Sequence, residues 1–283
     1  MSFAFFTLGG LQLWEDVFYY QKWRIQRNCI TNKYRLLDAW DIRRRNGTYE
    51  QCREAFEYFN DVYQLSRQKG HLVVMIHGLA GTKNRFSGMI NEMRSAGLNT
   101  MALNYPSTRK NIKATVKQID LFLNNLEDIN EISFITHGVG GIIIRELLNI
   151  ESLWQFRIKL NRVIQINPPN RECRFWETIG KYSIFRWIFG PTLKEYDSKS
   201  LVKIPGFPKK LEFGILCTHN PIFDKIISIM PKSWQKIVPK KDDAFLTGVK
   251  DAINIKIWKT NSCASKKALS ACISFIKRGD FGI

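Results

Sequence analysis

Residues 132–145 read I-S-F-I-T-H-G-V-G-G-I-I-I-R. Ile132 to Ile135 are apolar or β-prone and suit a buried strand, while Ile142 to Leu148 suit a helix whose start is marked by Gly140 and Gly141. Only T-H-G-V-G stands between them. The stretch therefore predicts a strand, a sharp turn and a helix.

The same rhythm extends in both directions. His71 to Ile76 (H-L-V-V-M-I) predicts a buried parallel strand that ends in the backbone-exposing loop H-G-L-A-G at 77–81. Asn84 to Ala96 predicts a helix through Met89, Ile90 and Met93, stopped by Gly97. Leu98 to Tyr105 is the next strand, and Asn111 to Leu126 a helix with Ile112, Val116, Ile119, Leu123 and Leu126 on its inner face. Beyond the opening stretch, Arg162 to Ile166 is a strand closed by N-P-P-N at 167–170. Leu211 to Cys217 and Ala252 to Trp258 are further strands, and Ser265 to Lys277 is a closing helix.

Two segments depart from this alternation. In residues 1–68, Trp23 to Ala39 predicts an antiparallel hairpin about Thr31-Asn32. After it Thr48 and Gln51 form a capping box for a helix with Cys52, Ala55, Phe56, Phe59 and Val62 turned toward the sheet. In residues 171–208, Phe175, Trp176, Tyr182, Phe185, Trp187 and Phe189 surround Gly190-Pro191, which predicts an insertion capping the pocket. The expectation is a single α/β domain over 1–283, a mainly parallel sheet with helices on both faces and right-handed crossovers. Ligands then bind beyond the carboxyl ends of the strands, where His77, Tyr105, Gly138, Asn167, His219 and Lys259 fall.

Composition narrows the function classes. With 283 residues and 45% hydrophobic residues the chain can bury a large core, which excludes a disordered protein. Met1–Leu13 is apolar but has no basic start and is too short to span a bilayer, so it predicts neither a signal peptide nor a membrane helix. The six cysteines show no C-x-x-C and no metal-ligand spacing with the four histidines, which fits reduced thiols in the cytoplasm and no metal. A dinucleotide loop would need glycine at 143, where Ile143 stands, so no cofactor is expected. The excess of 43 Lys+Arg over 25 Asp+Glu, a net +18, favours a small anionic or lipid-like ligand or a membrane surface. Recognisable nucleic-acid-reading patterns are missing, so no specific nucleic acid is expected, and nothing speaks to oligomeric state. Abundant Lys, Asn and Ile also match the drift of an AT-rich genome, and the clusters Arg43–Arg45, Lys209–Lys210 and Lys240–Lys241 read as solvated faces.

The turn at 136–140 carries the chemistry. A serine hydrolase of the α/β kind places G-x-S-x-G here, with the serine raised on a strained turn, and in this sequence that position is Gly138. With H-G-L-A-G after one strand, Y-P-S at 105–107 after the next, T-H-G-V-G-G at 136–141 and N-P-P-N at 167–170, the sequence resembles the bacterial α/β-hydrolase family of lipase and esterase type. The match is to the branch similar to GPI inositol-deacylases and triacylglycerol lipases, and runs from about Gly9 to Phe281.

The resemblance implies an α/β-hydrolase fold whose nucleophile position is Gly138, whose catalytic histidine is replaced by Lys259, and whose acid loop falls at Trp234-Gln235, with Asp242 and Asp243 further on. Glycine has no side chain to attack a carbonyl, and a lysine of ordinary pKa, about 10.4, is a poor general base at neutral pH. What the resemblance leaves in place is an anion-stabilising frame: backbone N–H groups of Leu79, Val139 and Gly140, with Lys259 adding charge, in a pocket with His77, Gly78, Tyr105, Asn167 and His219. His77 and His137 match structural histidines, and His219 reads as a hydrogen-bonded loop histidine or a base. The expected function is a lipase/esterase-like homologue with a degenerate triad that binds an anionic or lipid-like ligand, or a partner. The alternatives are an active ester hydrolase with a relocated nucleophile, and a basic protein peripheral at the membrane.

Overall fold

The computed structural model describes residues 8–68, 70–170, 178, 181–183, 187, 190–191, 201, 203–221, 225, 246–257 and 262–282. Their centre is a six-stranded sheet in which every adjacent pair runs parallel. It is built from β5 (Gly70–Ile76), β6 (Asn99–Leu103), β7 (Ile129–His137), β8 (Lys159–Ile166), β9 (Glu212–His219) and β10 (Asp251–Lys256), in the spatial order β10-β9-β8-β7-β5-β6. Successive side chains on a strand face opposite ways, so both faces must be apolar. Leu72, Val74 and Ile76 of β5 join one core with Ile132 and Phe134 of β7, while Val73 and Met75 join the other with Ile135.

Helices cover both faces. On the first lie α3 (Ile112–Asn124) and α4 (Gly140–Leu147), followed by the single turn α5 (Trp154–Arg157). On the second lie α2 (Ser87–Ser95), which follows a 3-10 turn at Lys83–Phe86, and α6 (Lys266–Arg278). Asn111 caps α3 by accepting from the Ala114 N–H, and Gly97 at φ +82° lets the chain leave α2 in a conformation that costs other residues about 1–2 kcal/mol. No helix among the described residues is long and apolar enough to cross a membrane.

The N-terminal region holds more structure than its sequence pattern suggests. The hairpin of β2 (Trp23–Asn28) and β3 (Tyr34–Leu37) is present, but β1 (Trp14–Tyr20) and β4 (Arg43–Gly47) flank it in a four-stranded antiparallel sheet. α1 (Tyr49–Tyr63) begins at the Thr48–Gln51 capping box and packs on this small sheet through Cys52 and Phe56. Val62 does not join that face and is 55% exposed, because the aromatic stack of Trp23, Phe59 and Tyr63 closes the end of the helix.

The two sheets are joined by one buried carboxylate. Asp16 on β1 accepts from Arg24 Nη1 at 2.7 Å, Gln26 Nε2 at 2.7 Å and the Asn104 N–H at 2.7 Å, while its own N–H donates to the Asn104 carbonyl at 2.9 Å. Arg24 continues to the Ala102 carbonyl at 3.0 Å, and Asn104 Nδ2 reaches the carbonyls of Leu11 and Trp14. The ion pair is excluded from water, so its value lies in direction: both carboxylate oxygens of Asp16 are hydrogen-bonded, which fixes the angle at which the small sheet meets β6. Removing one member leaves the other charged and buried. Asp16→Ala is therefore expected to lower stability by about 3–5 kcal/mol, whereas Asp120→Ala on the partly exposed face of α3 should change it by less than about 0.5 kcal/mol; urea denaturation measures both.

Candidate functional site

Strand order reverses at β5: the chain crosses to β6 on one side and then to β7 on the other, and in open α/β sheets such a point is where a ligand crevice forms, here at the carboxyl ends of β5 and β7. Two loops meet there, His77–Gly81 after β5 and Gly138–Val139 after β7. Gly138 stands at φ +54°, in the left-handed region. Its N–H donates to the Ile166 carbonyl at 2.9 Å, and its carbonyl accepts from the Gly141 N–H at 3.0 Å, so the reversal occurs within one residue and α4 starts at once. An ideal Cβ placed on Gly138 meets a single described atom within 4 Å, Gly78 Cα at 3.9 Å, an ordinary contact. Gly140 differs. A Cβ there would lie 2.6 Å from the Ile76 carbonyl oxygen and 2.9 Å from that of His77, so α4 can approach β5 only because this residue has no side chain.

The loop after β5 is held from three directions. His77 is fully buried, stacks on the Tyr105 ring at 4.0 Å with 6° between planes, and places Nδ1 2.9 Å from the Gly78 carbonyl. A carbonyl only accepts, so Nδ1 carries the proton, and Nε2 has no hydrogen-bond partner among the described residues. The Tyr105 hydroxyl donates to the His77 carbonyl. Gln12 donates from Nε2 to the Gly81 carbonyl at 2.5 Å, and its Oε1 accepts from the Thr108 N–H at 3.1 Å, which ties this loop to the one after β6. The N–H groups of Leu79 and Val139 donate to no other backbone group among the described residues.

Electrostatics at the turn come from a permanent cation and neutral rings. Arg85 Nη2 donates to His137 Nε2 at 3.0 Å, one residue before Gly138. Desolvation, with the neighbouring Arg85 charge, pushes the His137 pKa down to about 3, and burial pushes His77 down to about 4. Both are uncharged at neutral pH. Burial raises the Tyr105 hydroxyl and the Cys263 thiol above their ordinary ranges, with Arg85 opposing the latter, so neither is a ready nucleophile.

The fold gathers Gly78, Leu79, Gly138, Val139 and Gly140 at the crevice, with His77 and Tyr105 buried beneath the first loop. Asn167 and His219 lie on neighbouring strand ends with partners of their own. Asn167, at φ +49°, donates from Nδ2 to Thr218 Oγ1 and accepts from the Thr218 N–H, both at 2.7 Å, stitching β8 to β9. His219 places Nδ1 3.1 Å from Asn254 Oδ1 on β10. Lys259, Trp234, Gln235, Asp242 and Asp243 lie outside the described residues. Of residues 171–208, where a cap insertion is expected, Phe175, Trp176, Phe185 and Phe189 lie outside the described residues; Leu201 and Ile204 are buried in the core, and Arg145 of α4 donates to the carbonyls of Ile204 and Pro205. Arg85 and Gln12 escape sequence reasoning: neither sits in a spaced motif, and only the meeting of loops distant in the chain reveals them.

Residues 66–165 match a family model described as "Putative serine esterase (DUF676)". Among solved structures, the mature form of the lipase BlEst2 from Bacillus licheniformis is similar at 14% identity, with 74% of this chain and 91% of that one covered and a TM-score of 0.52. The metagenomic carboxyl esterase MGS0156 is similar at 15% identity, covering 65% of this chain and 63% of that one, with a TM-score of 0.51. Tomato methylketone synthase I, solved with 2-tridecanone, is similar at 11% identity over 75% of this chain and 99% of that one, with a TM-score of 0.50. No curated protein sequence matches the chain significantly. The likeness to these structures shows an α/β-hydrolase-type fold.

Two outcomes follow for stability. Gly138→Ser meets no described atom closer than 3.9 Å but stands at a left-handed φ, and is expected to cost about 1–2 kcal/mol, whereas Gly140→Ala drives a methyl into two carbonyl oxygens and is expected to cost about 3 kcal/mol; urea midpoints give the difference. For the histidines, the folded-state pKa lies below the unfolded value of about 6.5. Above that pH both states are neutral; as pH falls below it, the unfolded chain gains protons that the folded chain refuses, and each histidine costs up to about 1.4 kcal/mol per pH unit until its own folded pKa is reached. Stability should thus fall between pH 6.5 and 4, and His77→Phe, which keeps the stack on Tyr105, should show a shallower fall than the wild type.

Proposed function

We propose that the reversal at Gly138 is an anion-binding recess and not a nucleophile elbow in use: Leu79, Val139 and Gly140 present N–H groups, Lys259 adds positive charge, and the ligand is a carboxylate, a phosphate or a lipid headgroup that is bound and not cleaved. The observation that carries this reading is Gly138 itself, which holds the left-handed backbone a raised nucleophile needs while supplying no attacking atom. The N–H groups of Leu79 and Val139, without backbone partners among the described residues, support the same use, because donors with no backbone acceptor seek another and the N-terminus of α4 favours a negative one.

Other candidate nucleophiles fit less well. Thr136 is buried in β7 with its hydroxyl on the Ile164 carbonyl at 3.1 Å, and Cys263 is buried. His219 is partnered to Asn254, and His77 is enclosed, so among the described residues neither is paired with a nucleophile. With only binding and N–H donors left, about 10³–10⁴ over the uncatalysed rate is the ceiling for ester cleavage.

The expected result is no labelling of the purified protein by a fluorophosphonate probe and no turnover of aryl esters of several acyl lengths; labelling at any residue would overturn the proposal. In a thermal-shift series, short carboxylates or inorganic phosphate should stabilise the wild type, by about 2.7 kcal/mol at a concentration 100 times the Kd. Lys259→Ala should lose most of that gain. Equal stabilisation of both proteins would remove Lys259 from the site.

A further inference from the structure

The seam between the small antiparallel sheet and α2 contains a groove outside the crevice. It has two lobes of about 190 Å³ and about 370 Å³, which share Asp41, Lys83 and Asn84 in their walls. Six cations line them: Lys22, Arg24 and Arg94 in one, Arg35 and Arg43 in the other, and Lys83 in both. Carboxylates balance only part of this charge. Arg24 pairs with Asp16 at 2.7 Å, and Lys83 pairs with Asp41 at 2.5 Å, while Lys22, Arg35, Arg43 and Arg94 form no ion pair with another described residue. Arg35 is held in place by Gln26 Oε1 and by the Trp14 ring 3.9 Å from its guanidinium carbon, and Arg94 by the Thr100 carbonyl. Cations fixed against one another in this way repel, and a multiply charged anion would relieve the repulsion.

A second feature stands at the rim. The turn between β3 and β4 exposes Trp40 by 78% and Ile42 by 54%, on either side of Asp41. This exposure is built in. Asp38 Oδ1 accepts from the N–H groups of Trp40 and Ile42, both at 2.9 Å, and the Asp38 N–H donates to the Ile42 carbonyl at 3.0 Å. The Asp41 N–H donates to the Asp38 carbonyl, and Asp41 adopts φ +63°. A closed turn thus holds an indole and a branched aliphatic side chain out in water, next to exposed Arg43, Arg44 and Arg45. Indole rings favour the boundary between headgroups and hydrocarbon, and basic residues beside them meet lipid phosphates.

We propose that this groove is a site for the phosphate of anionic lipid headgroups, and that Trp40 and Ile42 enter the bilayer interface while Lys22, Arg35, Arg43 and Arg94 contact the phosphate. Asp41, between Lys83 and Arg24, moderates the attraction. The site is separate from the Gly138 crevice and does not depend on what that crevice binds.

The test is co-sedimentation of the full chain with vesicles of phosphatidylcholine alone and of phosphatidylcholine containing phosphatidic acid. Binding is expected only to the second and should weaken steeply with added salt. Lys22→Ala with Arg43→Ala, both at exposed positions, should weaken it by about tenfold or more. Trp40→Ala should weaken it without changing its salt dependence, and Asp41→Asn should strengthen it. Indole emission of the wild type should shift to the blue on binding, and Trp40→Ala should lose that shift. Equal binding to both vesicles, or binding unchanged in the Lys22/Arg43 variant, would overturn the proposal. So would retention of inorganic phosphate or a short DNA duplex through Lys22 and Arg43 with no vesicle binding, since that would assign the groove to a soluble or nucleic-acid phosphate.

Discussion

The contact between the start of α4 and the end of β5 governs the crevice. With the backbone of Gly140 against the carbonyls of Ile76 and His77, α4 can begin immediately after the strand, and the residue two positions earlier is forced to reverse the chain alone. That residue is Gly138, at a φ that side chains tolerate poorly. The same close approach sets the N-terminus of α4 beside the loop after β5, so donors from two distant segments converge. The recess for negative charge proposed above thus rests on packing before it rests on any particular side chain.

Around this contact the charges are divided by depth. His77 and His137 are desolvated and neutral; His77 donates to the Gly78 carbonyl, and His137 accepts from Arg85. Arg85 brings its guanidinium to the turn through its hydrogen bond to His137. Farther out, Asp16 fastens the antiparallel sheet to β6, and in doing so creates the seam in which the basic groove lies. The crevice and the groove have different origins. One arises where a sheet reverses strand order, the other where two sheets are bolted together.

The parallel core was legible because its strands are buried on both faces and its helices on one, so runs such as H-L-V-V-M-I and periodic sets such as Ile112, Val116 and Ile119 carry a strong signal. The capping box at Thr48 and Gln51 was legible for a local reason, since both hydrogen bonds close within three residues. β1 and β4 were not. In W-E-D-V-F-Y-Y the charged pair Glu15 and Asp16 looks unlike a buried strand, yet Glu15 is neutralised by Arg27 at 2.5 Å and by Lys110, and Asp16 by Arg24. In R-R-R-N-G there is no hydrophobic pattern at all, and only pairing with β3 makes it a strand.

By itself the sequence determined the α/β class, the order of the core elements and the place of a glycine where an elbow nucleophile would stand, because each depends on local pattern or on the identity of one residue. Only the tertiary structure decided that Gly138 is left-handed, that Arg85 bonds His137 and Gln12 the Gly81 carbonyl, and that His219 is tied to Asn254. It also turned Arg43 from a member of a basic run into the wall of a groove. These are contacts between residues tens of positions apart, and their geometry is set by how sheets and helices meet, which no short stretch of chain encodes.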